Sequence, residues 1–235
     1  MSLHIEKVSL IHGKYPTREH YPFSLPLFRQ TESISFETPV TFFAGENGTG
    51  KSTMLEALAR ACRIHIWRYQ AGARYRYNPH EDKLHLCMKV TWKGVPVPGA
   101  FFGSETFKDF TLLLDEWAAT DPGQLKYFGG ESLVSKSHGQ SMMSYFRTRY
   151  AVKGLYLLDE PETALSPRSQ LELMEIIREN SEAGHAQFII TTHSPILLSF
   201  PGARIYSFDE IPLKTVGYEE TDHFRLYRDF FNQRK

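Results

Sequence analysis

The sequence predicts an α/β fold, with a mostly parallel central sheet, an N-terminal antiparallel β part and a small inserted helical lobe. Three observations carry this expectation. Short apolar runs at residues 40–44, 154–158 and 187–191 alternate with helical segments, the pattern of strands buried on both faces. A glycine-rich loop joins the first of these runs to a helix. The 235 residues, 41% of them hydrophobic, can fill one sizeable core. One domain over residues 1–235, with a lobe inserted at about 104–150, therefore fits better than two independent domains.

In chain order, residues 3–10 read as a first strand, followed by a Pro- and Tyr-containing loop to residue 26. Residues 33–36 and 40–44 read as two more strands, the second largely apolar, and 51–63 have helical composition. Leu84, Leu86, Met88, Val90 and Trp92 alternate with other residues, the period of a strand with one covered face. Residues 106–119 and 140–150 read as helices around a Gly-containing loop and form the candidate lobe. Ser166 and Pro167 suit the N-cap and first position of a helix that ends before Gly184. Residues 204–208 read as a further strand, and Phe224, Tyr227, Phe230 and Phe231 suggest a packed last helix.

Composition narrows the function classes. Lys plus Arg balance Asp plus Glu at 27 each, so no overall excess of positive charge marks a nucleic-acid clamp. Cys62 and Cys87 are the only cysteines, and no Cys/His spacing suits a metal. No apolar run reaches the roughly 18 residues of a membrane span, and the N-terminus lacks a signal-peptide core. A cytoplasmic protein with reduced thiols is the expectation.

The chemistry begins at Gly45-Glu46-Asn47-Gly48-Thr49-Gly50-Lys51-Ser52, followed by Thr53, which fits G-x-x-x-x-G-K-[ST] between a strand and a helix. Glycines there let backbone N–H groups turn inward around phosphates, and the helix N-terminus adds partial positive charge. Lys51 can reach the β- and γ-phosphates of a nucleotide, and the Ser52 hydroxyl can ligate Mg²⁺. The run Gly154-Leu155-Tyr156-Leu157-Leu158-Asp159-Glu160 is an apolar strand ending in two carboxylates. Asp159 stands where it can help hold Mg²⁺, and Glu160 where it can orient an attacking water.

With these motifs in this order, the chain resembles the ATP-binding-cassette superfamily, most closely soluble ATPases with RecF- and SMC-type heads and short, stand-alone bacterial ATPases. The resemblance spans nearly the whole chain. It implies a signature segment at Lys136-Ser137-His138-Gly139-Gln140-Ser141, with Ser137 lying 22 residues before Asp159. In that family the signature contacts the γ-phosphate bound by a second subunit, which assigns Ser137, Gly139 and Gln140 to ATP binding. His138 stands where the family has glycine, and Lys136 where it has leucine. A plain helix N-cap is the local alternative for Ser137. The resemblance also makes residues 162–166 an interface-crossing loop and His193 a switch histidine that donates to the γ-phosphate. No Gln follows the strand after the first helix, so Ser104 or Glu105 would take its place, a helix N-terminal carboxylate being the plainer reading of Glu105.

What the resemblance implies is an ATP- and Mg²⁺-dependent ATPase with Glu160, His193 and Lys51 in catalysis. It would work as an ATP-dependent homodimer that switches or drives a protein effector, in DNA metabolism or bacterial defence. An ATP-sensing adaptor with little turnover and a direct nucleic-acid-binding ATPase are the rivals. For the latter, Trp67, Arg68, Tyr69, Arg74, Tyr75, Arg76 and Tyr77 interleave basic and aromatic side chains, which also suits a sheet edge or a protein partner. Tyr15, Tyr21, Phe23 and Phe28 are the candidates for stacking on adenine.

Overall fold

The computed structural model describes residues 3–67, 78–121, 123, 125 and 138–234, apart from the side chains of Lys108 and His138. The apolar run β3 (Val40–Ala44) is buried at all five positions, which only a strand covered on both faces can satisfy. It lies inside a six-stranded sheet with β5 (Gly99–Gly103), β6 (Gly154–Asp159), β7 (Ala186–Thr191), β8 (Arg204–Ser207) and β9 (Lys214–Val216), in the order β5-β6-β7-β3-β8-β9. The pairs are parallel except β8–β9. A second, antiparallel sheet has the order β2-β1-β4, from β1 (Ile5–Leu10), β2 (Ser33–Ser35) and β4 (Met88–Trp92).

Register decides where the chemistry goes. Gly103 pairs with Asp159, Asp159 with Thr191, Thr191 with Phe43, and Phe43 with Tyr206. The carboxyl ends of five strands are thus level, and the loops after them gather at one edge, where ligands bind in open α/β sheets.

Side chains of the buried strands alternate between two cores. Phe42, Tyr156, Leu158, Phe188 and Ile190 face α3 (Phe107–Thr120), α4 (His138–Tyr150) and α5 (Pro167–Glu182). Phe43, Leu155, Leu157 and Ile189 face α2 (Lys51–Ala61), the antiparallel sheet and α1 (Pro26–Gln30). Ser166 caps α5 by accepting from the Ser169 N–H at 3.2 Å, with Pro167 in the first turn, and Gly184 follows at φ +78°.

Three elements depart from the sequence expectation. Residues 84–87 form a 3-10 turn, so the strand starts only at Met88. Leu84 and Cys87, three apart, both turn to the core while Leu86 is 60% exposed, and β1 offers pairing only as far as Met88 opposite Leu10. Strand β5, which begins at Gly99 and ends at Gly103, is not among the strands expected from the sequence. Gly99 is needed for close approach: a Cβ would lie 2.4 Å from the Leu155 carbonyl oxygen. The last helix forms as α7 (Asp222–Asn232), beyond the short α6 (Pro195–Leu198), but buries none of its residues. Tyr227, Phe230 and Phe231 flank or face an open groove rather than the core.

Candidate functional site

The loop between β3 and α2 turns on three glycines in conformations other residues resist: Gly45 at φ +148°, Gly48 at +81° and Gly50 at +101°. Gly50 caps α2 without a side chain, which leaves the first-turn N–H groups of that helix to an anion. Glu46, Asn47 and Gly48 form the exposed tip, and the Thr49 hydroxyl donates back to the Glu46 carbonyl at 2.9 Å. Lys51 is buried, and its Nζ donates to the carbonyls of Gly45 (2.7 Å) and Glu46 (2.9 Å). Burial pulls its pKa down, against the opposing pull of Glu160, Asp209, Asp159 and Glu46. A desolvated cation among carboxylates and free N–H groups is a cradle for phosphate.

At the end of β6, Asp159 accepts from the Thr191 hydroxyl at 2.6 Å and from the Ser52 hydroxyl. Burial raises its pKa, while those two hydrogen bonds and Lys51 lower it. Glu160 takes a left-handed backbone, φ +46°, a strained conformation for a non-glycine residue. Its N–H is held by the Thr191 carbonyl (3.1 Å) and hydroxyl (3.0 Å), which turn the side chain away from the sheet. There Glu160 Oε1 lies 3.4 Å from His193 Nε2.

His193 is fixed from two sides. The buried Glu162 carboxylate accepts its backbone N–H at 2.6 Å, and its Nδ1 lies 3.1 Å from Nε2 of His223 on α7. Burial first, and Lys51 second, lower the His193 pKa, so the ring is neutral at neutral pH. Its Nε2 is buried and has no hydrogen-bond partner. A buried orphan donor aimed past Glu160 suits an anionic oxygen arriving there.

A cleft of about 360 Å³ unites Ser52, Asp159 and Glu160 with Ser104 and Glu105, which follow β5. The two positions considered in place of the missing Gln are therefore at the site. Among the described residues, no group of three or more His, Cys, Asp or Glu forms a metal cage. Ser52 and Asp159 fit Mg²⁺, which commonly takes one or two protein oxygens and completes its shell with phosphate and water.

Other expected residues are elsewhere. Ser137 lies outside the described residues, as do residues 68–77, which hold Arg68, Tyr69, Arg74, Tyr75, Arg76 and Tyr77. Gly139 and Gln140 open α4 and line a separate cleft with Arg147 and Ser169. A Cβ on Gly139 would lie 3.2 Å from the Ala164 carbonyl oxygen, so the start of α4 rests on the loop after Glu160. Trp67 packs against Phe110 and Trp117 at centroid distances of 5.8 and 5.1 Å, a structural use of that ring. Of the aromatics before the loop, Phe23 and Phe28 are core residues and the Tyr15 hydroxyl donates to the Phe28 carbonyl. Tyr21 alone of the four hydrogen-bonds to the helix after the loop, through Thr53.

Sequence reasoning missed Asp209, which accepts from the Glu46 N–H at 2.9 Å and packs against Gly45, and it missed His223. Neither sits in a motif. Asp209 follows β8, whose pairing beside β3 carries it to the loop.

Comparison with known proteins agrees with this geometry. A family model described as "AAA domain, putative AbiEii toxin, Type IV TA system" matches residues 142–199, and one described as "AAA domain" matches residues 24–63. The hemin import ATP-binding protein HmuV of Bradyrhizobium diazoefficiens is 29% identical over 168 residues, 62% of this chain and 60% of that protein's length. The SMC head domain from Thermotoga maritima superposes with a TM-score of 0.50 at 16% identity, covering 92% of this chain and 99% of that one. The chain is similar in sequence to ATP-binding proteins of the ABC type, and its fold is similar to that of ABC and SMC heads. A third likeness is to cbiO1 from Clostridium perfringens, part of the ABC transporter complex cbiONQ, with a TM-score of 0.53 at 14% identity, over 98% of this chain and 95% of that one. At such identities the solved structures speak for the fold alone. No helix among the described residues is long and apolar enough to cross a membrane.

Proposed function

We propose that this chain is an ABC/SMC-like ATPase that hydrolyses ATP with Mg²⁺ and works as an ATP-dependent homodimer that switches a protein effector. The observation that carries the reading is one cluster at the sheet edge: Ser52 bonded to Asp159, and Glu160 beside the unpartnered Nε2 of His193. Residues 45–53 would wrap the phosphates, with Lys51 leaving its loop carbonyls to meet the β- and γ-oxygens. Ser52 and Asp159 would hold Mg²⁺, which when bound offsets the phosphate charge. Glu160, positioned by its Thr191 hydrogen bonds, orients water for attack on the terminal phosphorus and accepts its proton. His193 donates to the terminal phosphate, and Ser104 or Glu105 closes the far side of the cleft.

The signature residues support the dimer. Gly139 and Gln140 line a separate cleft, not the one that holds Ser52 and Glu160 of the same chain. In this reading Ser137, Gly139 and Gln140 complete the site of the partner, residues 1–235 form one ATPase domain, and about 104–150 form its lobe. A role in DNA metabolism or defence follows only from the kinds of protein the chain resembles.

One set of measurements tests the reading. Phosphate release by Glu160→Gln should fall about 10²–10⁴-fold below wild type, the range for loss of a positioned base. The same variant with ATP and Mg²⁺ should elute as a dimer, and Lys51→Ala as a monomer. A wild type no faster than Glu160→Gln overturns hydrolysis, and a monomer in every case overturns the dimer.

A further inference from the structure

Among the side chains around the phosphate site, His223 comes from an element that no sequence motif connects to ATP chemistry. It is the second residue of α7, whose start is pinned in two ways. The buried Thr221 caps the helix by accepting the Phe224 N–H at 3.3 Å, and the Phe224 ring packs on Tyr218 at 4.8 Å between centroids. The His223 backbone is thereby fixed where its Nε2 reaches His193 Nδ1 at 3.1 Å.

Between two neutral imidazoles one proton occupies that hydrogen bond, and there are two ways to place it. If His193 Nδ1 carries it, the His193 Nε2 lone pair faces the Glu160 carboxylate oxygen 3.4 Å away, an acceptor against an acceptor. If His223 Nε2 carries it, His193 Nδ1 accepts, and the remaining His193 proton sits on Nε2, an N–H near that carboxylate oxygen with no second lone pair against it. Protonating both rings is opposed by burial, which lowers the pKa of each. Only the second arrangement leaves no repulsive contact.

We propose that His223 is a positioning residue for His193: its Nε2–H donates to His193 Nδ1 and holds that ring as the Nε2–H tautomer, ready to donate into the phosphate site. The proposal rests on reading His193 as the phosphate-facing donor, but the tautomer itself is independent of turnover. Glu162 complements it, since its carboxylate fixes the His193 backbone while His223 fixes the ring. The hydrogen bond also ties α7, which buries no residue of its own, to the state of the site.

The test is a ¹⁵N–¹H correlation of the imidazole rings in the wild-type protein at a pH where both are neutral, repeated on His223→Ala and His223→Gln. His193 should carry its proton on Nε2 in wild type, and should populate the Nδ1–H form in His223→Ala. His223→Gln, whose amide N–H reaches about as far as Nε2, should restore the wild-type tautomer. ATP turnover should follow: His223→Ala slower by about tenfold or more in kcat, as when a partner orienting a functional imidazole is lost, and His223→Gln close to wild type. An Nδ1–H tautomer in wild type, an unchanged tautomer in His223→Ala, or equal loss of kcat in the two variants would overturn the proposal. The expected tautomers in a protein without turnover would uphold His223 as the positioning group and overturn the hydrolysis reading instead.

Discussion

Helices α2 and α7 are both 11 residues long and both reach the proposed phosphate site, yet they are held there by opposite means. Six residues of α2 are buried, Lys51 among them, so the core fixes the helix and the helix fixes the lysine. No residue of α7 is buried. It is held by the Thr221 cap, the contact of Phe224 with Tyr218 and the bond from His223 to His193. In the proposed reading, the group that meets phosphate is carried by a helix packed into the core, and the group that orients another by a helix with no buried residue. The exposed apolar face of α7 (Leu226, Tyr227, Phe230, Phe231) further distinguishes it from α2.

The sharpest way to break this contrast is a matched pair of truncations. Leu55→Ala removes a fully buried side chain of α2 and should cost about 2–5 kcal/mol in urea unfolding. Leu226→Ala, at a position 65% exposed on α7, should change stability by no more than about 0.5 kcal/mol. Similar costs at both positions would mean that α7 is bound into the core after all.

A smaller effect is expected from pH. Burial is the largest cause lowering His193 and His223 below the ordinary 6.5, with Lys51 next for His193 and His193 next for His223. Glu46, Asp209 and, at His193, Asp159 oppose the shift. The unfolded chain takes up protons near 6.5 that the folded pair refuses, so this contribution is fully present above 6.5. It is lost as pH falls through 6.5 toward the depressed folded values. Urea midpoints should therefore drop from about pH 7.5 to about pH 5, and drop less steeply in His223→Gln. Parallel slopes would remove the dyad as a source of pH dependence.

The smallest perturbation is chemical labelling. Cys62, at the end of α2, has its thiol pushed up to about 12 by burial and should react slowly with iodoacetamide in the native protein. A cysteine introduced by Leu226→Cys on α7 should react at nearly the rate of unfolded chain. Equal rates at the two positions would erase the contrast.

Much of the site was legible because its parts are local. The loop of residues 45–52, the Asp159–Glu160 pair and His193 each follow a short apolar strand, so strand, turn and side chain are encoded together. The alternation at residues 84–92 misled because a strand needs a partner, and β1 ends at Leu10 opposite Met88. Strand β5 was hidden by glycines that the neighbouring backbone requires at Gly99. The aromatic run in the last segment predicted a helix correctly and its burial wrongly, since an apolar face does not specify what covers it.

The sequence by itself determined the α/β class and the glycine-rich loop between β3 and α2, because each depends on neighbours a few positions away. Only the tertiary structure decided that Asp209 packs on Gly45, that Ser104 and Glu105 share a cleft with Asp159, and that His223 meets His193. The physical reason is register. Parallel pairing levels the ends of β5, β6, β7, β3 and β8, and brings side chains far apart in sequence within a hydrogen bond of one another.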